Sequence, residues 1–261
     1  MNSMENRQKA RIERGWIPAG YELSWGDKST RELISLLENR DAIARTAAAR
    51  LLGQRGETLP VPALCARLQK ETALYSRLAA AEALVQIGEP VLPRLVSLLG
   101  RIGQNQHTSL PTRGFYKRSF PLPRDLAARV LIRAGTPALP FLERVVQDGE
   151  PFQAREAVDA IGHIALTTMD TRSERVLITA FRSASNDPIL RWKLIRAFRS
   201  FSSPDTREIL MDVILNDSHP ELRWEAVRSL GLMKEIPPDV LEHARNDPDV
   251  EVRSMARLFM G

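Results

Sequence analysis

The stretch from Thr72 to Leu95, TALYSRLAAAEALVQIGEPVLPRL, constrains the fold more than any other, because its spacing returns several times with different residues. After Arg77 the apolar residues Ala80, Ala81, Ala83 and Leu84 fall at offsets 3, 4, 6 and 7, the stripe of one helix face. The segment Gly88-Glu89-Pro90-Val91-Leu92-Pro93-Arg94-Leu95 returns 47 residues later as Gly135-Thr136-Pro137-Ala138-Leu139-Pro140-Phe141-Leu142. Two prolines so close fit a helix only in its first turn, where the N–H groups have no intrahelical partner. The spacing therefore predicts two short helices joined at a glycine.

Aligned on the arginine, equivalent positions are Arg45, Arg77, Arg124, Ala154, Arg191, Arg223 and Arg253, at intervals of 32, 47, 30, 37, 32 and 30. A period near 30 to 35 with two helices per unit predicts an all-α chain, a right-handed α-solenoid (superhelix) of about six to seven helical pairs. The long interval announces an insertion. Gly56, Gly88 and Gly135 stand where the first helix of a pair should stop. Asp187-Pro188 and Asp247-Pro248 place a capping carboxylate before a proline at a helix start. Asp41, Asp187 and Asp249 each precede an arginine by four positions, so the pairs can meet on a helix surface, in a ladder of charge-assisted bonds between repeats.

The pattern of Asp41, Arg45, Ala48, Ala49, Leu51, Leu52, Gly53 and Gly56 resembles the HEAT-like repeats first named from phycobilisome lyases. Arg77-Ala80-Ala81-Ala83-Leu84-Gly88, Arg124-Ala127-Ala128-Gly135 and Arg223-Ala226-Val227-Ser229-Leu230-Gly231 match it again. The resemblance covers residues 29–261 and implies HEAT-like helical pairs. It leaves function open, since such repeats serve as scaffolds, adaptors, bilin lyase subunits and DNA glycosylases.

Residues 1–28 lie outside the repeat, which occupies 29–261. Glu5 to Arg14 reads as a short basic helix, and Trp16, Ile17, Tyr21 and Trp25 follow in a Gly/Pro-punctuated segment. Their expected role is to cap the first end of the stack; an aromatic ligand pocket is the alternative. With 37 Lys and Arg against 32 Asp and Glu the net charge is +5, a mild attraction to polyanions. Cys65 is alone, so no intrachain disulfide forms and a reducing compartment is expected. The polar start shows no secretory h-region, and no apolar run reaches membrane-span length. The expected location is cytoplasmic, with no membrane partner.

The insertion, at about 101–121, carries the first candidate site. From Pro90 to Arg124 there are six basic residues, Arg94, Arg101, Arg113, Lys117, Arg118 and Arg124, and no acidic one. Phe115, Tyr116 and Phe120 are interleaved with Arg113, Lys117 and Arg118, setting stacking surfaces beside cations. The loop is either a binding element for an acidic peptide, a phosphate group or nucleic acid, or a segment whose aromatics tuck it onto its own repeat. A second candidate lies at the position after each arginine, which helix geometry points about 150° from the core and so toward water. Trp192 and Trp224 occupy it in successive repeats, with Arg196 and Arg228 one turn beyond. They form either an intrahelical Trp–Arg stack or an aromatic and basic strip that docks a partner.

At the C-terminus Phe259 and Met260 fall at core offsets with no following helix to cover them, which points to packing on a partner or weak self-association. No metal or cofactor is expected. His107, His163, His219 and His243 lie in different repeats without a second ligand one turn away, and Cys65 in its apolar helix reads as core. No residue stands out as catalytic. The function expected is a protein-interaction scaffold for an acidic or phosphorylated protein surface. The alternatives are a nucleic-acid-binding repeat protein, possibly DNA-glycosylase-like, or a bilin-lyase-like subunit.

Overall fold

The computed structural model describes residues 3–259, so Met260 lies outside the described part. Among the described residues every regular element is helical. The chain divides into two compact units, 1–104 and 105–261.

In the first unit α1 (Ser3–Glu13), α2 (Thr30–Leu36), α3 (Ala42–Arg55), α4 (Val61–Lys70), α5 (Leu74–Ile87) and α6 (Leu92–Val96) follow one another. Helices α3 and α5 lie side by side, with α2, α4 and α6 behind them. The alanines are what allow this approach: Ala47, Ala48, Ala49, Ala80 and Ala83 are wholly buried. A Cβ on Gly53 would stand 2.6 Å from the Ala83 Cα, so the backbones meet at near-minimal separation. Gly56 and Gly88, at the ends of α3 and α5, have positive φ, as the sequence requires of a helix stop. The double-proline segments open with one turn of 3-10 helix, Glu89–Val91 and Thr136–Ala138, before α6 and its counterpart α8. Before α2, Ile17 is buried, and Arg50 and Gln54 of α3 hold the buried Glu22 carboxylate. Of the four N-terminal residues singled out from sequence, Tyr21 is exposed and only Ile17 is fully covered.

In the second unit α7 (Leu126–Ala134), α9 (Pro151–Thr168), α11 (Pro188–Phe198), α13 (Pro220–Met233) and α15 (Val250–Arg257) form one layer, each touching the next. The second layer consists of α8 (Leu139–Asp148), α10 (Glu174–Ser183), α12 (Pro204–Asn216) and α14 (Pro238–Arg245). Helical pairs stacked in chain order are the solenoid arrangement the sequence predicts. At the far end Phe259 folds back against α13, its ring 2.4 Å from where a Cβ on Gly231 would be, so glycine there makes room for it.

The arginine ladder exists with other partners than expected. Asp41, Asp187 and Asp249 are helix caps, accepting from the N–H of Ile43, Leu190 and Glu251 at 2.9, 2.9 and 2.8 Å. The arginine four positions after Asp41 or Asp187 reaches instead to the end of its own pair's second helix, Arg45 to Glu71 and Arg191 to Asp217, and Arg223 does the same to Asp247, each at 2.7 Å, while Arg253 donates to the carbonyls of Asp247 and Pro248 at 2.6 and 2.8 Å. Asp247 is therefore an arginine partner and not the cap of α15, which is Asp249. Arg155 takes up the role vacant at Ala154, pairing with Asp187 at 2.9 Å. In α7 the framework residue is Arg129, which donates to the Pro123 carbonyl as Arg223 does to that of Asp217, and not Arg124.

Candidate functional site

The insertion is a strap. From Asn105 to Pro123 it contains no helix, and it crosses the α9, α11, α13 and α15 face of its own unit. The Arg228 Nη2 donates to the carbonyls of Lys117 and Ser119 at 2.9 and 3.0 Å, and Arg199 donates to that of Arg118 at 3.1 Å. The Glu251 carboxylate of α15 accepts from the Gly114 N–H at 3.0 Å and from the Tyr116 hydroxyl. Phe120 is buried against α9, edge-on to His163 at 5.5 Å. Phe115 lies under the Arg228 guanidinium at 4.7 Å. The strap is thus held mainly through its backbone carbonyls and aromatic rings, which leaves Arg113, Lys117 and Arg118 pointing out into solvent.

The expectation that Trp192, Trp224, Arg196 and Arg228 face water is overturned. They are 2, 1, 4 and 1 % exposed. The helix geometry that aims them away from the core of their own pairs is sound, but the strap lies where solvent would be. Arg196 stacks over Trp192 at 4.1 Å, Trp192 meets Trp224 edge-on at 6.4 Å, and His107 of the strap closes on Trp192 at 4.9 Å. The intrahelical stack and the covering segment occur together.

Behind the tryptophans runs a buried ionic cluster that sequence reading missed. Lys193, with no exposed side-chain surface, bonds Glu156 at 2.6 Å and Asp159 at 3.0 Å. Arg196 bonds Asp159 at 2.9 Å, Arg228 bonds Glu225 at 2.8 Å, and the Trp192 indole N–H donates to Glu225 at 3.1 Å. Burial pushes the Glu156 carboxyl above its ordinary value, against the pull of Lys193. Burial also works on Asp159, but there Arg196 and Lys193 outweigh it and the shift is downward. His107 is driven down to about 4 by burial and by Lys193, Arg124 and Arg196, so it is neutral at pH 7. Lys193 at the heart of an apolar helix was the one local signal for this cluster. Its partners lie more than 30 positions away.

Between strap and floor is a cleft of about 470 Å³, within the range of ligand sites. Its wall carries Arg113, Lys117 and Arg124 beside Phe115 and the exposed Leu122, and its floor is Trp192, Trp224, Arg196 and Asp159. Asp159 is already committed to Arg196 and Lys193, and Arg113, Lys117 and Arg124 form no ion pair among the described residues. No group of His, Cys, Asp and Glu among the described residues could hold a metal. Cys65 is buried in α4, its thiol raised to about 11 by burial. Among the described residues no helix is long and apolar enough to cross a membrane.

Fold and site together define an all-helical repeat protein with a strap-covered face. Residues 28–102 and 174–260 match the family of HEAT repeats, and the chain belongs to that family. No curated protein matches it. Among solved structures, one engineered protein is similar at 19% identity over 88% of this chain and 94% of its own, with a TM-score of 0.40. A second engineered protein is similar at 20% identity over 98% and 74%, with a TM-score of 0.42. The complex of CpcE and CpcF of phycocyanin lyase from Nostoc sp. PCC7120 is similar at 22% identity over 93% and 90%, with a TM-score of 0.37. These distant likenesses carry nothing about function.

Proposed function

We propose that the protein is a cytoplasmic, non-enzymatic interaction scaffold, and that the cleft beside the strap recognises an acidic or phosphorylated segment of a protein partner. The observation that carries this reading is the trio Arg113, Lys117 and Arg124, exposed, unpaired with any carboxylate, and gathered around one cleft with Phe115 and Leu122. Unpaired cations beside apolar surface suit a segment whose acidic groups flank an apolar side chain. Because the floor of Trp192, Trp224 and Arg196 is already packed, little ordering entropy is lost there when a partner binds. The segment before residue 29 serves as an end cap, and the strip Trp192/Trp224 acts as a rigid floor and not as the docking surface itself.

Affinity capture with mass spectrometry tests this. The wild-type chain is compared with an Arg113→Glu/Lys117→Glu/Arg124→Glu variant, which alters only exposed side chains of the strap and of the residue that follows it, and should retain the wild-type Tm. A protein captured by the wild type and lost from the variant is the expected result. Equal capture by both sinks the reading. Co-purifying nucleic acid, with affinity falling steeply as salt rises, would favour a polynucleotide ligand instead.

A further inference from the structure

Three guanidinium groups converge under the strap, Arg196 and Arg199 at the end of α11 and Arg228 of α13. Arg196 and Arg228 each have one carboxylate partner, and their side chains are 5 and 1 % exposed. Arg199 has none. It rests on the Arg118 carbonyl and lies over the Phe120 ring at 5.3 Å. Burial, joined by the neighbouring Arg228 and Arg196 and opposed by Glu225, lowers its pKa to about 10. All three arginines also leave a donor nitrogen buried and without an acceptor: Nε of Arg196, Nη1 of Arg199 and Nε of Arg228. Three of the eight such side-chain atoms among the described residues belong to this one group. Buried donors are normally satisfied, and a cluster of cations normally has its counter-charge. The strap supplies only neutral carbonyls.

We propose that Arg196, Arg199 and Arg228 form an anion subsite for a phosphate or carboxylate group, filled when strap residues 117–119 move aside and surrender their carbonyl contacts. The subsite deepens the reading given above and rests on it: it is where the charged group of the partner segment would finally be held, after the exposed cations of the cleft had drawn it in. Guanidinium forks suit such oxyanions because two parallel N–H groups match two oxygens. The strap then acts as an internal placeholder, since Lys117, Arg118 and Ser119 present acceptors of the same kind but without charge.

Inorganic phosphate is the probe. Thermal unfolding in phosphate is compared with chloride at equal ionic strength, and amide hydrogen exchange is followed over residues 114–120 of the full chain. We expect phosphate to raise the Tm by several degrees and to speed exchange in the strap several-fold. Arg199→Gln, at a half-buried residue with no ion pair, should lose both effects while keeping its fold in chloride. Should it prove too unstable to compare, Arg199→Lys keeps the charge without the fork, and weakening of the phosphate response at least about fivefold is then expected. No phosphate-specific rise, an equal rise in wild type and variant, or a rise without faster strap exchange each overturns the subsite. The cleft variant of the capture experiment leaves these arginines intact, so either test can fail without the other.

Discussion

Arg228 of α13 donates to the Lys117 carbonyl at 2.9 Å across 111 positions of sequence. That bond, with those of Arg199 and Glu251, converts a loop of unusual length into a fixed part of the surface. It also explains why two tryptophans and two arginines at nominally outward positions are buried.

The strap's far latch is the Tyr116 hydroxyl on the Glu251 carboxylate. Burial and that hydrogen bond raise the phenol to about 12. A raised pKa means the neutral phenol is favoured in the fold, so its contribution is complete below the ordinary value near 10 and is lost as pH rises toward 12. Ultraviolet titration should find one of the three tyrosines ionising late, and Glu251→Gln should return it toward its usual value. Three tyrosines titrating together would contradict the latch.

Glu71 is the most heavily used carboxylate of the first unit. It accepts from Arg45 at 2.7 and 2.8 Å and from Ser76 at 2.6 Å. Burial opposes its ionisation, but these donors win and hold it at about 2. Its stabilisation is therefore present above the ordinary value of 4.5 and is lost as pH falls from there toward 2. Glu71→Ala leaves Arg45 buried without a counter-charge and should cost about 3–5 kcal/mol. Urea unfolding at neutral pH measures it, and a loss below about 1 kcal/mol would show the pair to be of little weight.

Gly162 in α9 sits where α11 and the strap both close in. A Cβ there would stand 2.8 Å from that of Ala197 and 2.9 Å from the Phe120 ring. Gly162→Ala should destabilise by about 1–3 kcal/mol despite the better helix propensity of alanine. Because Phe120 is the nearer movable group, the strap should also exchange amide hydrogens faster. A neutral or stabilising effect would mean the two helices are further apart than described.

The Cys65 thiol, 2 % exposed and raised to about 11, should resist a disulfide reagent in the native state. Labelling should keep pace with unfolding in urea. Rapid labelling of the folded chain at neutral pH would place the thiol outside the core.

By itself the sequence determined the helical pairs and their period. The alanine stripes, the glycines at helix ends and the proline pairs act within a turn or two of the residues that carry them, so they read correctly from neighbours alone. Three features lay beyond that reach. The arginine ladder was visible as a column of arginines, yet its carboxylates stand 24 to 26 positions away and the nearer aspartates cap helices instead. Trp192 and Trp224 stand where helical periodicity puts them, yet they are buried and not in water, because periodicity says which way a side chain points and not what lies there. The buried cluster of Lys193, Glu156 and Asp159, with the strap over its tryptophan neighbours, exists only once four successive pairs are stacked. A loop without a period of its own takes its course from surfaces formed far along the chain, and only the tertiary structure brings those surfaces together.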